Sequence, residues 1–200
     1  MPTKRFEMLK EDKRRDISEA IYAEFLKTPY GEIRMNQIAQ RANISRASLY
    51  TYFQDKEDML FLVLDQMWKS FLEYNKQIIM ENRGDFFKVM LMSLQYQLKL
   101  SKTNHLFTLL YIYGGNSFYK ENFRIIKDKE YEAHKDWLYE NLCDKYLKEL
   151  KKDDINTFFE ICRSLIVDSV LKSLYDFQGD EKIIIDFKKK LNLLREKLLI

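Results

Sequence analysis

The sequence predicts an all-α protein, and three observations carry that prediction. Only seven of its 200 residues are Gly or Pro, five and two respectively, where ordinary usage of about 7% Gly and about 5% Pro would give roughly 24. Hairpins, barrels and phosphate-cradling loops consume these residues, because Gly supplies positive φ and Pro presets a turn. Apolar residues recur at helical spacing nearly throughout. Neither G-x-G-x-x-G nor G-x-x-x-x-G-K-[ST] occurs, which removes the two strongest nucleotide-binding signatures. With 46% apolar residues the chain is too apolar to be disordered.

Each helix has its own signals. Ile17, Ala20, Ile21 and Phe25 mark the first, with Glu24 the polar exception on that face, and Thr28-Pro29-Tyr30-Gly31 ends it. A short helix follows with Met35, Ile38, Ala39 and Ala42 on one face; Asn43-Ile44-Ser45 reads as a turn, and a second short helix spans Arg46 to Phe53. After Gln54-Asp55 a long helix runs from Lys56 to about Met80 and breaks at Asn82-Arg83-Gly84. Asp55 is a good N-cap for it, and Glu57-Asp58 complement its dipole. Helical segments are then expected near Asp85–Leu100, Thr103–Tyr113, Ser117–Lys127, Asp128–Leu150, Asp153–Phe177 and Asp180–Leu199, with Gly114-Gly115 and Gln178-Gly179 as separators. Pro2 lies in the terminal tail. No linker composition appears, so the domain boundary is placed inside the long helix, giving domains 1–64 and 65–200.

Several function classes are excluded or left without support. The longest apolar runs, such as Met59 to Leu64, fall far short of the roughly 20 residues of a membrane span, and the charged N-terminus lacks a signal-peptide core. Cys143 and Cys162 form no disulfide framework, so an intracellular, cytoplasmic protein is expected. His105 and His134 lack second ligands at metal-binding spacing. No catalytic motif appears, and the acid-rich stretch from Glu130 to Asp136 reads as a solvated helix face. No catalytic residue, metal or cofactor is expected.

Residues 35–53 have helix-turn-helix spacing. From Ile33 to Gln54 there are three basic residues, Arg34, Arg41 and Arg46, and no acidic one, which suits a polyanion partner. On the second short helix Leu49 and Phe53 share one face and must pack inward. Ala47, Ser48 and Thr51 then point away, with Tyr50 and Tyr52 on the flanks and Arg46 in the first turn. A major groove admits a helix with such a face. Arg46 can fork onto a guanine edge, Ser48 and Thr51 can bond base edges, and the Ala47 and Thr51 methyls can touch thymine. The tyrosine hydroxyls suit phosphates. The plainer alternative is a solvated helix whose tyrosines merely pack. Lys56 is disfavoured by the dipole of its own helix, so it is either a phosphate ligand or an ordinary surface lysine.

Ile38-Ala39, Ala42-Asn43-Ile44-Ser45, Leu49-Tyr50, Tyr52-Phe53, Lys56-Glu57 and Leu60 resemble the DNA-binding signature of the tetracycline-repressor (TetR) family. Ile17, Ala20, Phe25 and Tyr30 are similar to that family's first helix, and the similarity covers about residues 10–64. The resemblance implies an all-helical homodimer. Its three N-terminal helices would form a DNA-binding domain, and a larger C-terminal helical domain would bind a small effector and dimerise. It puts recognition contacts on Arg46, Ser48, Tyr50, Thr51 and Tyr52 and phosphate clamps near Arg34, Ser45 and Lys56; Ala47 and Asn36 complete the expected DNA-binding set. Three positions depart from the family pattern. Asn43 replaces the turn glycine, and Asn tolerates the left-handed conformation. Arg34 replaces the capping Thr, and Pro29 replaces the glycine after the first helix.

In the C-terminal part, Asp153–Phe177 carries an apolar stripe wider than one core face requires. Ile184, Phe187, Leu191, Leu194 and Leu198 step by 3, 4, 3, 4, as in a helix–helix seam. Part of this must be intramolecular core. The excess supports a two-fold interface through Phe158, Cys162, Leu165, Ile166, Ile184, Phe187, Leu191 and Leu194. Aromatics between residues 86 and 139 are either core or the wall of an apolar effector pocket, with Tyr96, Phe107, Tyr111, Phe118, Phe123 and Trp137 as lining candidates. The expected function is a ligand-responsive regulator, most often a repressor in such a family, released from a pseudo-palindromic double-stranded operator by a small, largely apolar effector. The alternatives are a family-like protein acting through protein contacts without DNA, and a small helical enzyme, for which no catalytic set is present.

Overall fold

The computed structural model describes residues 2–108, 122–142, 147, 149–175 and 179–198. Among the described residues the regular structure is helical, with no strand. The chain divides into two compact units, Met1–Ser70 with Asn104–Leu110, and Phe71–Thr103 with Tyr111–Ile200.

The first unit holds α1 (Lys4–Glu7), α2 (Glu11–Lys27), a 3-10 turn (Tyr30–Glu32), α3 (Met35–Arg41), α4 (Arg46–Tyr52) and the first part of α5 (Lys56–Glu81). Its core is the apolar face read from the sequence: Ile17, Ile21, Phe25, Ile38, Leu49, Phe53 and Leu60 have no exposed surface. α2 stops because Pro29 forces the preceding residue out of the helical region, and Thr28 is extended at φ −118°, ψ 130°. The polar exception Glu24 is also buried, and the structure supplies its partners. Thr28 Oγ1 donates to Glu24 Oε1 at 3.2 Å, and the Arg41 guanidinium of α3 lies 3.7 Å from Oε2. A buried carboxylate without such partners would be costly, so this pair also ties α3 to α2. Lys13 adds a bond across the same junction, donating to the Ala42 carbonyl at 3.3 Å.

α5 begins on the expected cap: the Asp58 amide donates to Asp55 Oδ1 at 2.8 Å, and Asp58 Oδ2 accepts from the Gln54 amide at 3.0 Å. This reciprocal arrangement satisfies donors the helix cannot. At its other end Arg83 takes a left-handed φ of 53° and Gly84 follows at 72°. The Gly84 and Arg83 amides then close on the Ile79 and Met80 carbonyls at 2.9 and 3.2 Å, a Schellman ending.

The second unit contains the rest of α5 with α6 (Phe86–Thr103), α7 (Asn122–Asn141), α8 (Lys152–Tyr175) and α9 (Asp180–Leu198). α6, α8 and α9 pack on one another. Phe86 sits 5.2 Å from Phe158 and 5.4 Å from Phe159, ring centre to ring centre. Lys102 of α6 binds Asp180 at the start of α9 at 2.6 Å.

Some expected boundaries move. α6 continues past Leu100 to Thr103, and the next helical turn occupies residues 105–108, where the Leu106 amide donates to Asn104 Oδ1 at 3.0 Å. The break expected at Lys127-Asp128 is absent, since α7 runs through it; neither residue obstructs a helix. α7 ends at Asn141 rather than Leu150, where the Asn141 amide side chain donates to the Trp137 carbonyl at 2.8 Å, a side-chain bond typical of helix ends.

His134 of α7 is buried, and its Nδ1 has no hydrogen-bond partner. Burial, with the Lys76 ammonium adding to it, pulls its imidazole from 6.5 down to about 4. Below pH 6.5 the unfolded chain gains a proton that the folded chain refuses until about 4, so stability falls with pH across that window. Urea unfolding between pH 6.5 and 4 should therefore show the wild type losing up to about 1 kcal/mol per pH unit more than His134→Gln. Equal slopes for the two proteins would mean that the folded state already accommodates the imidazolium.

Candidate nucleic-acid interface

The site is built around the junction of α3 and α4. Asn43 sits at φ 50°, in the left-handed region that Asn reaches more readily than most residues. That one residue turns the chain so that the Ile44 amide reaches the Ala39 carbonyl at 3.0 Å and the Asn43 amide reaches Gln40 at 3.1 Å. The carbonyls left over at the end of α3 are thereby satisfied. Two residues later Ser45 caps α4: its Oγ accepts from the Ser48 amide at 2.9 Å and lies 2.8 Å from Ser48 Oγ. At the start of α3 Arg34 makes no side-chain cap bond.

Leu49 and Phe53 are fully buried beneath α4, so its opposite face is the outer one. Arg46, Ala47 and Tyr50 are exposed, Ser48, Thr51 and Tyr52 half-buried, and Arg34, Asn36 and Ser45 exposed beside them. Arg46 and Tyr50 act as one unit, with the guanidinium 5.5 Å above the ring centre and Nη2 donating to the Tyr50 hydroxyl at 3.4 Å. Thr51 Oγ1 donates to the Ala47 carbonyl at 3.0 Å.

The expected basic cluster is partly engaged inside the unit. Arg41 faces Glu24. Lys56 Nζ donates to the Tyr30 carbonyl at 2.7 Å and lies 4.6 Å from the Tyr30 ring centre. An ammonium has three donors, so Lys56 is oriented by Tyr30 with two donors left over. Tyr52, placed on the flank from the sequence, packs its ring 6.2 Å from Phe6. Phe6 and Thr3 are the residues sequence reasoning missed: they belong to a short N-terminal helix where a tail was expected.

Residues 17–63 match the family model for bacterial regulatory proteins of the tetR family. Over that stretch the chain is similar to the TetR family. An HTH-type transcriptional regulator of Staphylococcus aureus (strain bovine RF122 / ET3-1) is 29% identical over 175 residues, covering 86% of this chain and 84% of that protein. The corresponding regulator of strain USA300 is 28% identical over 86% of this chain and 85% of its own. Among solved structures, a transcriptional regulator from Saccharomonospora viridis in complex with choline has a TM-score of 0.63 at 17% identity, covering 94% of this chain and 97% of its own. The regulator FadR from Bacillus subtilis in complex with stearoyl-CoA has a TM-score of 0.58 at 17% identity, covering 92% and 97%. These last two likenesses are of fold. The two curated relatives are HTH-type transcriptional regulators.

The C-terminal candidates fare less evenly. Phe158, Cys162, Ile166, Phe187 and Leu191 are buried within the single chain, so they form its core and are not free to pair with a second copy. Burial also pushes the Cys162 thiol up to about 12. Leu165, Ile184 and Leu194 remain half-buried. The inward row of α9 is Ile183, Phe187 and Leu191; Phe187 and Leu191 belong to the expected seam, and Ile183 takes the place of Ile184. Of the effector candidates, Tyr96 stacks on Tyr74 at 3.9 Å. Trp137 packs with Tyr74 against Ile78, Ile79 and Val89. Phe107 is buried and belongs to the first unit. Tyr111 and Phe118 lie outside the described residues, as does the Phe123 side chain. The cleft lined by Leu98, Lys99, Lys102 and Ile184, about 240 Å³, contains none of the six.

The turn makes its own prediction. Asn43→Ala should cost about 1 kcal/mol of stability, since alanine lacks the local hydrogen bonding that eases left-handed backbone. Asn43→Gly should unfold with the wild type and still bind DNA. Thermal unfolding checks both, and an unaffected Asn43→Ala would show that the left-handed turn is not what α4 depends on.

Proposed function

We propose that the chain is a ligand-responsive, sequence-specific DNA-binding regulator, acting in the cytoplasm as a homodimeric repressor on a pseudo-palindromic operator. The observation that carries this reading is the two-faced α4. Leu49 and Phe53 hold one face in the core, while the opposite face offers a guanidinium, hydroxyls and methyls of a size and chemistry suited to a major groove. Arg46 reads a base edge, Ser48, Thr51 and Ala47 line the groove floor, and Tyr50, Tyr52, Arg34, Asn36, Ser45 and Lys56 meet its walls.

Homodimerisation is supported by the apolar surface left on α8 and α9, where Ile161, Tyr175, Ile185 and Leu193 are exposed in the single chain. Leu165, Ile184 and Leu194 on the same two helices are half-buried. Two-fold pairing would match two half-sites about one helical turn apart. An effector is supported by the choline and stearoyl-CoA complexes of the structural neighbours. To release DNA it must bind better to the state whose recognition helices are out of step with the grooves. α5, shared by both units, is the covalent route for that shift.

Titration of the protein on its own upstream DNA, against random duplex, tests the reading. Arg46→Ala should weaken the specific site by roughly 1–3 kcal/mol if the guanidinium grips a base bidentately. An equal loss on random DNA would reduce it to a phosphate contact. Tyr50→Phe should weaken operator binding with its melting temperature unchanged. A wild type that ignores DNA even at low salt would favour the protein-contact alternative.

A further inference from the structure

The N-terminal residues close over the far end of α4. The Thr3 amide donates to the Tyr52 carbonyl at 2.9 Å, and its hydroxyl donates to the Thr51 carbonyl at 3.0 Å. Both carbonyls belong to the last turn of α4, where no further helical turn exists to satisfy them. Phe6 is buried, with its ring 4.8 Å from Phe53. The other end of α1 is held as well, by Arg14 donating to the Glu7 carbonyl at 3.2 Å. Between these anchors Lys4 and Arg5 are exposed, one and two residues from the contact with α4. Glu7 is the acidic residue of this helix.

We infer that Thr3–Phe6 is a working part of the DNA interface: Thr3 and Phe6 are positioning residues for α4, and Lys4 and Arg5 contact phosphates of the duplex that α4 reads. The inference rests on the DNA-binding function proposed above. A helix seated in the major groove is flanked by two sugar-phosphate walls. A cation tethered about 3.8 Å along the chain from the residue bonded to that helix's last carbonyl is placed beside one of them. The positioning role follows from length. α4 has seven residues, too few to hold its own shape, so its C-terminal turn depends on what Thr3 donates.

The experiment measures full-length protein on operator and random DNA across a salt series. The double variant K4A/R5A should bind both DNAs more weakly by similar factors. Its slope of log affinity against log salt should fall by roughly one to two, near 0.9 for each phosphate no longer neutralised, with the melting temperature unchanged. An unchanged slope overturns the phosphate role. Thr3→Ala should lose roughly two- to tenfold on the operator and less on random DNA, and Thr3→Ser should restore the difference. Equal losses on both DNAs, or no rescue by serine, overturn the positioning role. Wild-type preference for operator over random DNA, measured in the same series, reports separately on the underlying DNA-binding reading.

Discussion

Everything the N-terminal unit presents to its surroundings depends on a single left-handed residue. Asn43 at φ 50° does two things at once. It brings the Ile44 amide back to the Ala39 carbonyl, so α3 ends with its terminal carbonyls bonded. It also reverses the chain fast enough that Ser45 is already the cap of α4. A residue confined to negative φ would lengthen the turn, open the closure and rotate α4 about its axis. Rotation matters because α4 and its C-terminal cap residue supply only two fully buried apolar anchors, Leu49 and Phe53. A change of one position would bring Tyr50 inward and turn Arg46 from the outer face.

Charge is organised as tightly as the backbone. A window with three arginines and no acid suggests a uniform basic surface, but the folded chain separates its members. Arg41 faces the buried Glu24 carboxylate of α2 and holds α3 in place. Lys56 is aimed by Tyr30. Arg34 and Arg46 are exposed, and Arg46 lies over Tyr50, which limits its free rotamers. The same residue type thus serves structure at one position and, in the proposed function, recognition at another. The deciding factor is whether a carboxylate from a neighbouring helix reaches it.

That difference explains how far the sequence could be read. Within residues 17–60 the apolar spacing has a clear phase, and Ile17, Ile21, Phe25, Leu49 and Phe53 all lie where that phase puts them. In α9 the phase is ambiguous, because Ile183, Ile184 and Ile185 are consecutive and any of them can begin a row. Contact with α6 and α8 selects Ile183, Phe187 and Leu191, and local spacing carries no record of that choice. Five of the eight dimer candidates raise the same ambiguity: Phe158 and Cys162 are apolar enough for either an interface or a core, and three-dimensional packing within the single chain buries them. Trp137 shows the limit for the effector candidates. Its ring reads equally well as pocket wall or core, and its packing against Ile78, Ile79 and Val89 is set by residues more than 45 positions away.

The N-terminal segment was illegible for a different reason. Phe6 has Leu9 at helical spacing, but Lys4, Arg5, Glu7 and Lys10 surround it, so the local pattern is too short to mark a helix. The partners of Thr3 and Phe6 are Thr51, Tyr52 and Phe53, supplied by an element that is itself too short to be stable alone. A seven-residue helix of about 10 Å has unsatisfied groups over most of its length, and nucleation cost outweighs what it can gain locally. α4 must therefore be fixed from outside at both ends. Ser45 does this at the first turn through a local contact that sequence displays. Thr3 does it at the last turn through a contact spanning 48 positions, which sequence does not display. The two ends of α4 are equally constrained in space, and they differ only in how far along the chain the constraint originates.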